Sequence, residues 1–183
     1  MSFESFVRRT FWALSNAGLE YVIVGGLAAI LYGRLRATFD VDIVIDIQPH
    51  DTDAVKSLVQ AFNSHGLEVF EHKIVSSLKD RNHFSVFDTK TPFRVDAKGV
   101  YTRLDSTLLK NHKKTKLLDL DVWVASPEDM VVTKLIYGSP QDIEDVLSII
   151  LNLKEKLDFE YLNQLAEQEK VHKQLKEILK KIK

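Results

Sequence analysis

The sequence Val24-Gly25-Gly26, followed a short distance on by Asp40-Val41-Asp42-Ile43-Val44, decides the fold. Val24 ends a β-branched run that predicts a strand, and the two glycines end this strand and open a short predicted helix. Because side chains alternate along a strand, Asp40 and Asp42 share one face while Val41 and Ile43 lie on the other. The stretch therefore predicts strand, glycine turn, helix, and a second strand carrying two carboxylates roughly 7 Å apart.

This arrangement suits phosphate and metal chemistry. Gly25 and Gly26 have no side chain, so a phosphate could approach their backbone closely, and the N–H groups at a helix start attract anions. Two carboxylates on one strand face suit divalent cations shared with a triphosphate. A plain tight turn is the alternative interpretation of the two glycines.

A third acid is needed for a site with two metal ions. Asp96 lies within the predicted strand 93–100, and it joins Asp40 and Asp42 if that strand pairs beside theirs. Three clustered carboxylates repel one another unless a cation lies among them, so the cluster predicts two Mg²⁺ ions, with Mn²⁺ as a substitute. The alternative for Asp96 is a cross-strand pair with a basic residue.

Two other acidic pairs compete with Asp40 and Asp42. The pair Asp51 and Asp53 lies at a predicted helix start, where acids favour the helix dipole. The pair Asp119 and Asp121 lies on an alternating strand predicted over 117–124, and it is interpreted as the solvent face of an edge strand. Neither pair follows a glycine pair and a short helix.

The remaining pattern predicts an α+β fold in the order α-β-α-β-α-β-β-β-α-β-α-α-α. We expect an α+β core over residues 1–125, with a mixed β-sheet flanked by helices, and a helical subdomain over 126–183. Ser126-Pro127 and Ser139-Pro140 are typical helix starts. The residues after Pro140 contain no glycine or proline, and this predicts helix to the C-terminus.

Composition limits the classes of function. The 183 residues include no cysteine, which excludes disulfides, zinc–thiolate sites and a cysteine nucleophile. No apolar run approaches a membrane span and no secretory signal is visible, so we expect a cytoplasmic protein without membrane contact. The formal net charge is −1, and the run 110–116 is the main local positive patch. That run is interpreted as a solvated loop, with an RNA backbone contact as the alternative. Of the six histidines, only His83 is a candidate, because its predicted strand is one that could pair with the strand that carries Asp96.

The sequence resembles the DNA-polymerase-β-type nucleotidyltransferase superfamily. It is most similar to the small prokaryotic branch that includes nucleotidyltransferase toxins of type IV toxin–antitoxin and abortive-infection systems. The similar motifs span roughly residues 5 to 165: Gly25-Gly26-Leu27-Ala28, Tyr32-Gly33, Arg36-x-Thr38-x-Asp40-x-Asp42, Ser126-Pro127-Glu128-Asp129, Lys134-Leu135, Gly138, Asp142-x-x-Asp145 and Leu157-Asp158-x-x-Tyr161-Leu162.

The resemblance implies an enzyme that moves a nucleoside monophosphate from an NTP, such as ATP, to an acceptor hydroxyl. It implies that Asp40, Asp42 and Asp96 are the catalytic metal ligands and that Gly25 and Gly26 line the triphosphate. The partners it leaves open are a tRNA, protein or small-molecule acceptor and a cognate antitoxin, which the apolar stripe of the C-terminal tail would bind. Packing of that stripe on its own domain is the alternative.

The resemblance also implies roles in the site for three further residues. Arg36 and Thr38 match motif positions beside the metal strand, with a phosphate contact or a structural salt bridge open for Arg36. Lys134 would face the donor phosphates, and a solvated helix lysine is the alternative.

The sequence departs from the family at two places. Leu27 stands where a serine or threonine commonly contacts the phosphate, and Ser139-Pro140-Gln141 stands where some relatives carry basic residues. These changes keep a second hypothesis open, namely a non-catalytic module that binds nucleotide or a partner protein.

Overall fold

The computed structural model describes residues 2–33 and 35–182. Over these residues the chain forms a mixed β-sheet surrounded by helices, which confirms the predicted α+β class. The helices are α1 (Phe3–Ala17), α2 (Gly25–Tyr32), α3 (Thr52–Ser64), α4 (Glu71–Lys79), α5 (Arg103–Lys110), α6 (Pro127–Tyr137), α7 (Pro140–Leu153), α8 (Phe159–Gln168) and α9 (His172–Ile182). The strands are β1 (Tyr21–Val24), β2 (Asp40–Ile45), β3 (Leu67–Glu68), β4 (Phe84–Asp88), β5 (Arg94–Lys98), β6 (Lys113–Leu117) and β7 (Leu120–Val124).

The sheet order β3-β4-β5-β2-β1-β7-β6 places the strand with the paired acids near the centre. β2 runs antiparallel to β1 and parallel to β5. Val41, Ile43 and Ile45 are buried as the alternation predicts. The apolar face of β2 therefore anchors the strand in the core and leaves Asp40 and Asp42 directed away from it.

The caps of the C-terminal helices form as predicted. The Ser126 hydroxyl accepts the Asp129 N–H, and Pro127 occupies the first turn of α6. Ser139 and Asp142 form a reciprocal capping box at the start of α7. Buried side chains on both sides of residue 125 belong to one hydrophobic cluster, and the division at that residue stays a prediction.

Several predicted elements differ from the structure. The loop predicted over 110–116 is wrong, because Lys113–Leu117 is the edge strand β6. The strand predicted over 117–124 is broken, because Leu118 and Asp119 both have positive φ and form a tight turn between β6 and β7. Asp121 follows this turn on β7, which is not the edge strand, and it pairs with Lys114 and Lys116.

The sequence pattern does not predict helix α4, because it is a mostly polar segment with three apolar residues, of which Ile74 and Leu78 are buried and Val75 is partly buried. The continuous helix expected in the tail is interrupted twice, before α8 and before α9. Asp158 caps α8, and Lys170 adopts a positive φ ahead of α9. The absence of glycine and proline therefore does not make the tail one helix, and the Asp158 cap is a local signal for the start of α8.

Helix α9 packs on the domain itself. Leu175 and Ile178 are buried, and Leu179 and Ile182 are partly buried against the same core. The structure therefore has the apolar stripe of the tail packed on its own domain. No helix in the described ranges is both long enough and apolar enough to cross a bilayer.

Replacing Leu175 by Ala tests this packing. Leu175 is 0% exposed, so the variant loses apolar burial and leaves a cavity. We expect a loss of about 3 kcal/mol in the free energy of unfolding, measured by urea denaturation. The matched control is Leu151→Ala, because Leu151 is 60% exposed and should change stability by less than about 0.5 kcal/mol. Equal effects of the two variants would contradict the packing of α9.

Candidate active site

Three acids lie on one face of two neighbouring parallel strands. Asp42 on β2 is the register partner of Asp96 on β5, and Asp40 is the partner of Arg94. On the other side of β5, Ser85 on β4 is the partner of Asp96. The structure thus brings together Asp40, Asp42 and Asp96, as predicted, and we call these three residues the carboxylate face.

Gly25 and Gly26 admit the carboxylate of Asp42. Gly25 has φ +62°, and a Cβ there would lie 1.9 Å from Asp42 Oδ2. The Gly26 N–H donates to the same oxygen at 3.3 Å. A Cβ at Gly26 would lie 2.7 Å from a terminal nitrogen of Arg36. The space predicted for a phosphate is therefore shared with Asp42 and Arg36, and the phosphate contact itself stays a prediction.

The carboxyl group of Asp42 carries charge that its surroundings do not favour. Burial and the neighbouring charge of Asp40 raise the pKa of Asp42 to about 6, with a smaller upward contribution from Asp96. The hydrogen bond from Gly26 and the charge of Lys134 oppose this rise. A further cation that approaches such a site stabilises the ionised carboxylate.

Asp40 and Asp96 are held by neutral and cationic donors. The Thr38 hydroxyl donates to Asp40 Oδ1 at 2.8 Å, so Thr38 orients Asp40 directly. The Ser85 hydroxyl donates to Asp96 Oδ1 at 2.5 Å. Arg94 Nε donates to Asp96 Oδ2 at 2.7 Å, and the same guanidinium lies 3.9 Å from Asp40 Oδ2.

Sequence reasoning did not identify Arg94 or Ser85 as site residues. Arg94 lies two positions before Asp96, so strand alternation placed both on one face and was a usable signal. Ser85 offered no such signal, because its register against Asp96 depends on how β4 pairs.

Arg36 and Lys134 form a buried ionic network with two aspartates. Arg36 pairs with Asp145 through Nε at 3.3 Å, which is the salt bridge left open as its alternative. Lys134 Nζ lies 2.7 Å from Asp142 and 3.1 Å from Asp145. The Lys134 side chain is 8% exposed, so the solvated helix lysine does not describe it. The network joins the segment before β2 to α6 and α7.

The carboxylate face opens into a cleft of about 300 Å³. Gly25, Gly26, Arg36 and Lys134 line the cleft together with the three acids, and Thr38 contributes through Asp40. Residues that the sequence did not assign also line it, namely Lys98, Leu108, Thr133, Tyr137 and Gln141. His83 lines the cleft as well, on the side of β4.

The residues present fit a divalent cation by their chemistry. Carboxylate oxygens are the ligands that Mg²⁺ prefers, and burial together with the charge of Asp40 raises the pKa of Asp42, so a cation there would favour its ionised form. Within the described residues, no three acids or histidines are close enough to hold one ion together. Asp96 is bonded to Arg94 and Ser85, and Asp42 to Gly26, so a shared ion requires these side chains to turn toward one another.

Known structures share this fold. The crystal structure of ANT(2″)-Ia in complex with adenylyl-2″-tobramycin aligns with a TM-score of 0.63 and 15% identity, covering 91% of this chain and 96% of that chain. The solution structure of the antibiotic-resistance factor ANT(2″)-Ia aligns with a TM-score of 0.60 and 15% identity over 90% and 91% of the two chains. An antigenic nucleotidyltransferase-like protein from Paracoccidioides brasiliensis aligns with a TM-score of 0.56 and 20% identity, covering 97% of this chain and 92% of that one.

At these identities the structures establish a common fold and nothing finer. No curated protein sequence matches the chain. Residues 12–181 match a family described as a nucleotidyltransferase of unknown function, DUF6036. With a match over most of its length and the predicted acids together on one sheet face, the chain belongs to the DUF6036 family of nucleotidyltransferases.

Proposed function

We propose that the protein transfers a nucleoside monophosphate from a nucleoside triphosphate to an acceptor hydroxyl and releases pyrophosphate. The observation that carries this proposal is the register of Asp42 and Asp96 on adjacent parallel strands, with Asp40 on the same face. One structural neighbour, ANT(2″)-Ia, is bound to an adenylylated tobramycin, which supports adenylyl transfer to a small molecule as one form of this chemistry.

Each residue has a role in the proposed reaction. The acceptor oxygen forms a bond to the α-phosphorus, the bond from that phosphorus to the pyrophosphate oxygen breaks, and Asp96 helps to take the hydroxyl proton. Asp40, Asp42 and Asp96 would hold Mg²⁺, with two ions as the family resemblance implies, and the metal would offset the charge on the transferred and leaving groups. The start of α2 supplies backbone N–H groups toward the phosphates.

The basic residues of the cleft are held in ion pairs, which favours a role in shaping the cleft over direct contact with the donor phosphates. In the described part of the chain, Arg36 and Lys134 both pair with the buried Asp145, and Lys98 pairs with the buried Asp105. Lys134 Nζ donates to Asp142 Oδ1 at 2.7 Å and lies 3.1 Å from Asp145 Oδ2, so its charge is already shared between two carboxylates. The same pairing favours the second candidate, a module that binds nucleotide without turnover. Release of pyrophosphate would identify the protein as a transferase, and nucleotide binding without it would identify the module.

Two finer expectations receive different support. The lysine-rich β6 is an edge strand three positions from β2, so it does not adjoin the carboxylate face and gives no support to an RNA acceptor. The toxin–antitoxin assignment stays a prediction.

The double variant Asp40→Asn, Asp42→Asn tests the proposed site. We expect the wild type to bind at least one of the four NTPs only with Mg²⁺, measured by calorimetry, and the variant to lose this binding because its carboxylates are gone. Pyrophosphate release should fall by at least about a hundredfold. The matched control is Asp119→Asn, Asp121→Asn, which alters the competing acidic pair. Equal loss in both variants, or binding by the first without Mg²⁺ dependence, would refute the site.

The raised pKa of Asp42 predicts a dependence of stability on pH in metal-free protein. A folded-state pKa of about 6 lies above the unfolded value, so stability is full below the unfolded pKa and falls as pH rises through 6. Asp42→Asn should remove this fall and stabilise the protein at pH 7.5 by about 3 kcal/mol, measured by denaturation at pH 4 and pH 7.5 with a chelator present. Asp46→Asn, at an exposed position after β2, is the control. If the free energy of unfolding changes with pH by the same amount in Asp42→Asn and in the wild type, the raised pKa of Asp42 would be contradicted.

The position of the Arg94 guanidinium predicts that it competes with a divalent cation for the carboxylate face. Its charge lies beside Asp96 and Asp40, so replacing it by Gln removes a counter-charge from the carboxylate face. We expect Arg94→Gln to bind Mn²⁺ about fivefold more tightly than the wild type, measured in the absence of nucleotide. The control is Arg8→Gln, because Arg8 pairs with Glu4 away from the site. Unchanged or weaker Mn²⁺ binding by Arg94→Gln would contradict this arrangement.

A further inference from the structure

A second concavity adjoins the cleft on the side of β4. It has a volume of about 380 Å³, and His83 lines both it and the cleft. Ser85 also lines this concavity, and its hydroxyl donates to Asp96 Oδ1 at 2.5 Å. A single hydrogen bond therefore separates the concavity from the carboxylate face. We call it the β4 groove, and its principal lining residues are Phe70, Lys73, Ser77, His83, Ser85 and Phe87.

The β4 groove continues the face on which the acids lie. Ser85 and Phe87 alternate with the buried Phe84 and Val86, so both project to one side of β4. Their register partners on β5 are Asp96 for Ser85 and Arg94 for Phe87. A molecule in the groove can therefore place one end beside Asp96 without crossing another strand.

Two large aromatic side chains in the groove are exposed. Phe87 is 54% exposed and Phe70 is 53% exposed, and the centroid of the Phe70 ring lies 5.9 Å from that of the His72 ring. Phenyl rings left in water beside a polar site favour contact with another flat ring, because such pairs add stabilisation beyond the area they bury. The groove volume is within the range of pockets that bind small molecules.

The described lining of the groove carries no net charge, which does not favour a polyanionic occupant. Lys73 and Glu68 are the charged residues among its described lining, and their charges cancel. Burial and the nearby charge of Lys98 lower the pKa of His83, so this imidazole is neutral at neutral pH. A nucleic-acid backbone needs a track of cations, and the lysines of β6 lie five strand positions from β4, about 24 Å away.

We propose that the β4 groove is the acceptor subsite and that the acceptor is an uncharged small molecule with a flat ring and a hydroxyl group. The ring rests on Phe87 and Phe70, and the hydroxyl reaches Asp96 beside Ser85 and His83. This inference rests on the proposed nucleotidyl transfer: the hydroxyl oxygen bonds to the α-phosphorus, its proton leaves toward Asp96, and pyrophosphate departs.

A matched pair of probes tests ring recognition. The probes are 4-methylumbelliferyl β-glucoside, which has a flat ring and sugar hydroxyls, and methyl β-glucoside, which has the same sugar without the ring. Binding is measured by saturation-transfer NMR with Mg²⁺ and a non-hydrolysable ATP analogue present to fill the donor site. We expect the ring-bearing probe to bind in the millimolar range and at least about fivefold more tightly than methyl β-glucoside.

Variants then locate the binding. Phe87→Leu and Phe70→Leu keep an apolar side chain and remove the flat ring, and each should weaken the ring-bearing probe about fivefold. The control is Trp12→Leu, at an exposed aromatic residue on α1, and thermal melting verifies the fold of each variant. Absence of probe binding, equal binding of both sugars, or unchanged binding by both Phe variants would overturn the subsite.

Donor binding distinguishes the two proposals. The Phe variants should bind Mg²⁺ and the ATP analogue as the wild type does, because neither residue lines the cleft. If the wild type does not bind the analogue, the nucleotidyl transfer fails, and binding of the ring-bearing probe still decides whether the groove recognises rings. A decamer RNA that displaces the ring-bearing probe would overturn the uncharged small-molecule acceptor.

Discussion

The carboxylate of Asp42 lies against the backbone of Gly25 and Gly26, and the rest of the site depends on this contact. A side chain at position 25 would place its Cβ inside the carboxylate, and the positive φ of Gly25 disfavours any L residue there. The turn after β1 is thus matched to β2 across the antiparallel pair in which Val24 is the partner of Asp42. The two glycines and the acid form one structural unit.

A second unit holds the wall of the cleft opposite the sheet. Arg36 lies close to Gly26 and pairs with Asp145, which also pairs with Lys134. Buried charges are stable only when paired and hydrogen-bonded, so this network fixes α6 and α7 relative to the segment that precedes β2. The motif of paired aspartates in α7 therefore has a structural role in this chain, and Asp142 serves both Lys134 and the cap of α7.

The last motif of the sequence has a similar explanation. Asp158 caps α8, and the Tyr161 hydroxyl donates to Asp129 at 2.5 Å, which joins α8 to α6. Burial raises the pKa of Asp129, and the other oxygen of this carboxylate has no hydrogen-bond partner among the described residues. Burial, with the charge and hydrogen bond of Asp129, likewise raises the pKa of Tyr161, so the phenol keeps its proton and remains the donor of this pair.

The sequence by itself determined the paired acids on one strand face, the glycine turn before them and the capped helices after residue 125. These are local features, since strand alternation, glycine conformations and caps act over a few residues. The placement of Asp96 beside Asp42 was predictable only on the condition that their strands pair.

Tertiary structure alone decided the partners of Arg36 and Lys134, the position of Arg94 beside Asp40, and the groove along β4. Each of these depends on contacts between separate segments of the chain, such as Arg36 with Asp145 or Ser85 with Asp96. Strand order and helix packing bring such residues together through burial of a common core. The periodicity of a sequence predicts on which face of a strand or helix a side chain lies, but it does not predict which other segment packs against that face.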